Sequence, residues 1–437
     1  MSTDPQPGRP SERDTAVVTS PTMLSTAEAD ALIASAVLTD EGRQDPYSRY
    51  AELRRRSPRW RAESGAIVLT GYHDGLEVLR HPKLGRAEPD MDVPNTIAGR
   101  PPRRVEGNTS ILLLNPPDHT RIRGLVSRAF TPKRVEELRP TITRLLDPVL
   151  DRFAEHGGGD VMPDLAVPYP VAVISELLGV PSEGNEDIRP LVRAVTALID
   201  AATDAQMQAE GEAAAMKLAM YFLELIEAKR AEPDDRLLCA LIDVESEGDR
   251  LSIDELVSNT ILLYAAGFET TSNLIGNGLR LLLRNPDQLQ LLREDRSLMS
   301  SAVLEMLRAD SPVQLNVRNA LEPVELFGEV HPRGTSFVVL QGSGNHDEEV
   351  YDDPARFDVT RFTDAKVPQP LSFGWGAHHC LGAHLARAEG EIVFGQLLDR
   401  FDVIELDRGP LGGGAPRYRP SFTLRGLESL PVRVGVS

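Results

Sequence analysis

Apolar positions along this chain recur mostly at intervals of three and four, the spacing that lines one face of an α-helix. The pattern predicts helices over Arg121–Phe130, Val135–His156, Asp187–Asp200, Ala205–Ala231, Ile253–Arg284, Pro286–Glu294 and Leu298–Arg308. Strand-like stretches are short: Ile67–Thr70, Val324–Leu326, Ser336–Leu340, Ser421–Leu424 and Val432–Val434. Repeated strand–helix–strand units do not occur, so the expected fold class is mainly α with a small β subdomain. Arg86–Ser110 carries Pro94, Pro101 and Pro102 and reads as a long loop, of a kind usually functional or disordered.

The segment Ile253–Arg284 is the most informative. Ser252 and Glu255 stand at capping-box spacing, and Pro286 stops the helix, with Asn285 placed to cap the next one. Its 32 residues would span about 48 Å, enough to cross a domain. Ile261–Ala266 is apolar or aromatic on every face, which predicts a buried middle. Gly267, Glu269, Thr270, Thr271, Ser272 and Asn273 follow directly. A glycine costs about 1 kcal/mol inside a helix, and a buried carboxylate costs several more unless paired. Such breaks of local rules concentrate at functional sites; the alternative is a kinked core helix with a satisfied polar cluster.

Charge narrows the partners. The chain has 47 basic and 66 acidic residues, a formal net charge of −19, and gains nothing from counterion release on nucleic acid. No apolar run approaches the ~18 residues of a membrane span. The polar, Pro- and Ser-rich start predicts a disordered leader over residues 1–20, followed by one domain over 21–437 in the cytoplasm. Cys239 and Cys380 are the only cysteines, too few for a disulfide framework, so one of them is a candidate for ligand chemistry.

Cys380 has the distinctive surroundings: Phe373-Gly374-Trp375-Gly376-Ala377-His378-His379-Cys380-Leu381-Gly382, then a helical pattern to Phe401. The glycines let the backbone pass close to a flat ligand and aim N–H groups at the sulfur. The following helix sets its positive end beside a thiolate. A lone cysteine near a helix start is commonly structural, and His-His-Cys could suggest zinc, but the spacing of further zinc ligands is missing. Thiolate is a soft ligand suited to iron.

Phe-Gly-x-Gly-x-His-x-Cys-x-Gly resembles the haem-binding signature of the cytochrome P450 family at all six defined positions. Ala266-Gly267-Phe268-Glu269-Thr270-Thr271 is similar to that family's oxygen-binding motif, and Glu305-Met306-Leu307-Arg308 to its Glu-x-x-Arg motif. Pro354-Ala355-Arg356-Phe357 resembles the segment supplying a second arginine, and Asn115–Arg123 the helix that contacts the haem propionates. The resemblance covers residues 40–437, with the motifs in the family's order. Two departures are His346 in Asn345-His346-Asp347, where relatives often carry Arg, and Trp375 in a variable slot.

The resemblance implies the cytochrome P450 fold and haem b, with iron bound by Cys380. It implies cofactor contacts from His119, Arg123, Ala266, Gly267, Arg318, Phe373, His378 and Gly382, and oxygen chemistry from Glu269 and Thr270. His119 and Arg123, at i and i+4, would offer two cations to the propionates beside Arg318 and His378; a solvated helix face is the plainer reading. Glu305 and Arg308 would form a buried structural network with Arg356, Arg361 being the second choice. Thr270, Ala266, Leu263 and Leu262 share a helix face, with small residues leaving room for dioxygen and leucines forming an apolar ceiling. Thr270 would bond back to the Ala266 carbonyl, and Glu269 would relay protons.

The implied reaction is oxygen insertion from O₂ into an apolar small-to-medium substrate. Only 57 residues follow Cys380, which points to separate ferredoxin and ferredoxin reductase partners. Arg128, Lys133, Arg134 and Arg387 are candidates for the docking face. The alternatives are a peroxide-driven enzyme and a haem-thiolate sensor. Substrate contacts are expected from Arg86–Ser110, the Asp187–Ala231 helices, Val313–Asn316 and Phe422.

Overall fold

The computed structural model describes residues 22–91, 110–181, 185–198, 200, 205–243, 245–246, 249–407, 409 and 416–435. The expected leader and most of the Arg86–Ser110 loop lie outside these residues. Among the described residues no helix is long and apolar enough to cross a membrane.

The central helix spans Ile253–Arg284, and both halves of the expected capping box form: Glu255 N–H donates to Ser252 Oγ at 3.2 Å, and Ser252 N–H to Glu255 Oε2 at 2.8 Å. Asn285 departs from expectation. Its side chain reaches back, Nδ2 donating to Leu281 O at 2.8 Å, so it closes this helix instead of capping Pro286–Glu294. The helices Pro132–Glu155, Pro168–Leu178, Asn185–Ala197, Ala205–Ala231, Met299–Ala309 and Ala383–Arg400 complete the main bundle. Pro168–Leu178 is apolar on nearly all sides, with eight buried residues, and it packs on the central helix. Such a short, all-round apolar run has no period to read. The main core gathers here, around Tyr264, Phe268, Leu274, Ile275 and Leu279.

Among the described residues the largest sheet runs Arg59–Arg61, Ile67–Leu69, Ser336–Val339, Asn316–Ala320, Leu84–Gly85. Ile67–Leu69 pairs parallel to Ser336–Val339, and the other neighbours are antiparallel. Pro431–Gly435 pairs with Val403–Leu406 and Gly158–Asp160. The expected strand Ser421–Leu424 does not form; only Leu424 bridges, to Val313. Phe422, expected against substrate, packs instead into a second core with Leu315 and Val338.

Candidate functional site

The cysteine loop is built from backbone constraints. Gly376 has φ +73, and a Cβ there would meet the Leu79 carbonyl oxygen at 2.4 Å, so a side chain is barred by conformation and by the helix Tyr72–Arg80 behind it. Cys380 N–H donates to Phe373 O at 2.8 Å, closing the loop on itself. Burial pushes the Cys380 thiol up, while the Gly382 N–H and the Arg123 guanidinium favour the thiolate. Arg123 also donates through Nη2 to His379 O at 2.5 Å. Cys380 nonetheless has accessible surface.

Ala266 behaves the same way: it is exposed while Ala265, Phe268 and Glu269 around it are buried. Thr270 Oγ1 donates to Ala266 O at 2.9 Å, the expected back-bond. Gly267 works differently from expectation. A Cβ on it would meet Ile174 Cδ1 at 3.0 Å, so its smallness serves close packing against Pro168–Leu178. Glu269 is 4% exposed and paired with Arg419 from the C-terminal hairpin, a partner that sequence reading missed.

A second set of side chains converges without counter-charge. The rings of His119 and His378 lie 4.3 Å apart, tilted by 48°. Arg318 is 1% exposed. Arg86, expected in a substrate loop, joins them, because Gly85 pairs with Asn319 and brings the next residue alongside Arg318. Asn115 grips the Arg86 backbone from both sides, at 2.7 and 2.8 Å. Burial, then mutual repulsion, pulls Arg318 down to about 8, His119 to about 4 and His378 to about 2. Burial alone pulls Arg86 down to about 10. Burial and the neighbouring arginines hold both histidine rings towards their neutral forms. Arg86 Nε, His119 Nε2 and Arg318 Nη2 are buried and have no hydrogen-bond partner among the described residues. A buried donor left unmade is costly, so this cluster fits an anion with several acceptor oxygens. Haem carries two such carboxylates, and the residues present fit it.

Glu305 and Arg308 are both wholly buried and joined through two bonds, at 2.7 and 2.8 Å. The partner arginine is Arg361, whose Nε donates to Glu305 Oε2 at 3.1 Å. Arg356 was the expected partner, but its side chain is exposed and lies 3.9 Å from Asp358; only its carbonyl joins, accepting from Arg308 and Arg361. Of the two departures, His346 is buried and stacked 4.1 Å from Tyr47, and Trp375 lies under the Arg80 guanidinium at 4.4 Å. A cleft of about 370 Å³ opens elsewhere, near Arg134, Glu176 and Arg236, and contains none of this chemistry. Among the described residues no cluster of three or more His, Cys, Asp or Glu side chains could hold a metal ion.

Residues 99–411 match the family model described as Cytochrome P450. The chain is 40% identical to Cytochrome P450 107B1 of Saccharopolyspora erythraea over 421 residues, covering 94% of this chain and all of that one. It is also 40% identical to Vitamin D(3) 25-hydroxylase of Pseudonocardia autotrophica, over 90% of this chain and 94% of that protein. Ligand-free CYP164A2 of Mycobacterium smegmatis superposes with a TM-score of 0.82 at 35% identity, over 93% of this chain and 100% of that one. The chain thus belongs to the cytochrome P450 family of haem-thiolate monooxygenases.

Proposed function

We propose that this enzyme inserts one oxygen atom of O₂ into an apolar small-to-medium organic substrate, with haem b held by Cys380 and electrons from separate ferredoxin and ferredoxin reductase partners. The sum balances as RH + O₂ + two electrons + two protons giving ROH + H₂O. One observation carries the reading: a glycine-framed cysteine with the Gly382 N–H and the Arg123 guanidinium beside its sulfur, in a fold that also gathers buried donors with no partner among the described residues. Haem, when bound, would supply an iron that activates dioxygen, made electron-rich by the Cys380 thiolate.

The remaining roles belong to the chain. Arg86, Arg318, His119 and His378 would hold the propionates, and Phe373 belongs to the cysteine loop. Ala266 would leave room for dioxygen, while Leu262 and Leu263 would keep the substrate side apolar. The Thr270 hydroxyl, anchored on Ala266, and the Glu269 carboxylate deliver protons. On the docking side Lys133 is exposed, and Arg387 meets Ser300 Oγ at 3.2 Å and not a carboxylate. Arg134 is less suited, since it pairs with Glu137 at 3.6 Å, and the Arg128 side chain lies outside the described residues. The relative named for 25-hydroxylation of vitamin D(3) supports an apolar substrate.

The test is spectral. Reduced, CO-saturated protein should show the red-shifted Soret band of thiolate ligation, lost in Cys380→Ser and kept in Cys239→Ser; the reverse result overturns the assignment. Compounds that shift the spin state, sought among terpenoids, steroids, fatty acids, aromatics and macrolides, then serve as substrates. Product from O₂ and an electron donor supports the monooxygenase. Product from peroxide alone, or no product at all, favours the peroxide-driven enzyme or the sensor.

A further inference from the structure

Glu269, the carboxylate read above as the proton source for Thr270, is bound in this structure by the C-terminal hairpin. Glu269 and Thr270 are neighbours on the central helix, but their side chains are engaged separately. Thr270 bonds to Ala266, while the Glu269 carboxylate accepts from Arg419 Nη1. The second Arg419 nitrogen, Nη2, donates to Asn273 Oδ1 one helical turn further on, so the guanidinium straddles two positions of the helix. The Glu269 side chain is 5% exposed and that of Arg419 is 24% exposed. Of the pair, it is Arg419 that meets solvent.

Backbone contacts hold the tether in place. Arg419 N–H donates to Gly426 O at 2.9 Å, and Tyr418 bridges Leu427. A Cβ on Gly426 would sit 1.9 Å from Asn273 Oδ1, so the returning strand lies directly against the helix. The same hairpin is fastened at its tip to another element. Asp200, just beyond the helix Asn185–Ala197, accepts from Ser421 Oγ and from Phe422 N–H, the latter at 3.1 Å. One short segment therefore joins the end of a helix in the substrate-facing region to the carboxylate that would supply protons.

We propose that Arg419 is a positioning residue for proton delivery: while paired it keeps Glu269 on the hairpin side, and letting go frees Glu269 to serve Thr270. Asp200 couples this release to movement of the helix Asn185–Ala197. A partly exposed arginine can be solvated once released, and the freed carboxylate can take up a proton, so the pair can open without stranding a charge. This rests on the monooxygenase reading above.

The experiment uses the full-length haem-loaded protein with a plant-type ferredoxin, its reductase and NADPH, measuring O₂ consumption in H₂O and D₂O. Arg419→Gln should raise the rate about two- to fivefold and bring the solvent isotope effect close to one, and Arg419→Lys should restore both. Glu269→Gln should slow the rate about tenfold or more, and adding Arg419→Gln to it should change nothing further. Asp200→Asn should speed amide hydrogen exchange across residues 416–427 and lower the isotope effect in the same direction. A wild-type rate and isotope effect in Arg419→Gln, or additivity with Glu269→Gln, overturns the proposal while leaving the monooxygenase reading standing. If Arg419→Gln does not fold, Asp200→Asn and Arg419→Lys decide it: wild-type isotope effects in both overturn the proposal. A wild-type protein without the thiolate CO band and without donor-dependent O₂ consumption overturns the functional reading, and this one with it.

Discussion

Arg308 and Arg318 are both fully buried arginines, ten residues apart in sequence, and the chain treats them in opposite ways. Arg308 is saturated: it makes two bonds to Glu305 and one each to the carbonyls of Asn345, Pro354 and Arg356. Among the described residues Arg318 meets only Asn316 Oδ1 and the Val317 carbonyl, both through Nη1, and its Nη2 has no partner. Burial and the neighbouring Arg86 pull Arg318 down to about 8. A buried charge needs a counter-charge. For Arg308 the chain supplies it, and the role is structural. For Arg318 no described residue supplies it, and that need marks a candidate binding site.

The largest effect is expected where the chain is its own partner. Arg308→Ala leaves the Glu305 carboxylate buried beside a single arginine and should cost about 3–5 kcal/mol, read as a fall in the urea midpoint of the apoprotein. Next comes the pair that separates the two candidate network arginines. Arg361→Ala should cost about 2 kcal/mol, because Arg361 bonds Glu305 directly, whereas Arg356→Ala should stay within about 0.5 kcal/mol. Equal effects would return Arg356 to the network.

Arg318→Ala should leave apoprotein stability unchanged or slightly improved, since it removes an uncompensated charge. The same substitution should speed haem transfer to apomyoglobin about tenfold, because a charged hydrogen bond to a propionate is lost. Destabilised apoprotein with unchanged haem transfer would erase the contrast with Arg308.

The smallest effect is a pH dependence. His119 has a folded-state pKa of about 4, below the ordinary 6.5, chiefly through burial and then through Arg123, Arg86 and Arg318. Between these values the unfolded chain binds the extra proton, so apoprotein stability should fall as pH drops from 6.5 towards 4. His119→Gln should make urea midpoints less steep across that window without flattening them, because His378, pulled down to about 2, still contributes. Haem loading should weaken the dependence in wild type, because propionates favour the charged ring.

Legibility followed sequence distance. The central helix was readable to both ends because its capping box, apolar run and terminal proline are local signals. The helix Ala205–Ala231 was equally readable, from a long run rich in the strong helix formers Ala, Glu, Leu, Met and Lys. Helices such as Thr26–Leu38 and Pro168–Leu178 were missed: the first has almost no amphipathic contrast and the second is apolar throughout. Within the site, Cys380, Thr270 and the Glu305–Arg308 pair were visible because their spacing is short. Arg86 and Arg419 carry no motif and reach the site only through the pairing of Gly85 with Asn319 and the packing of Gly426 on Asn273.

By itself, then, the sequence determined the helix-rich architecture, the cysteine loop, the back-bonding threonine and the family resemblance. Each of these depends on period, capping or fixed spacing within a few residues. The tertiary structure decided that Arg361, not Arg356, completes the buried network. It also decided that Gly267 packs against Ile174, that Arg86 comes to lie beside Arg318, and that Arg419 pairs with Glu269. Those outcomes depend on which groups share a low-dielectric interior, and that is set by chain segments meeting across tens to hundreds of residues.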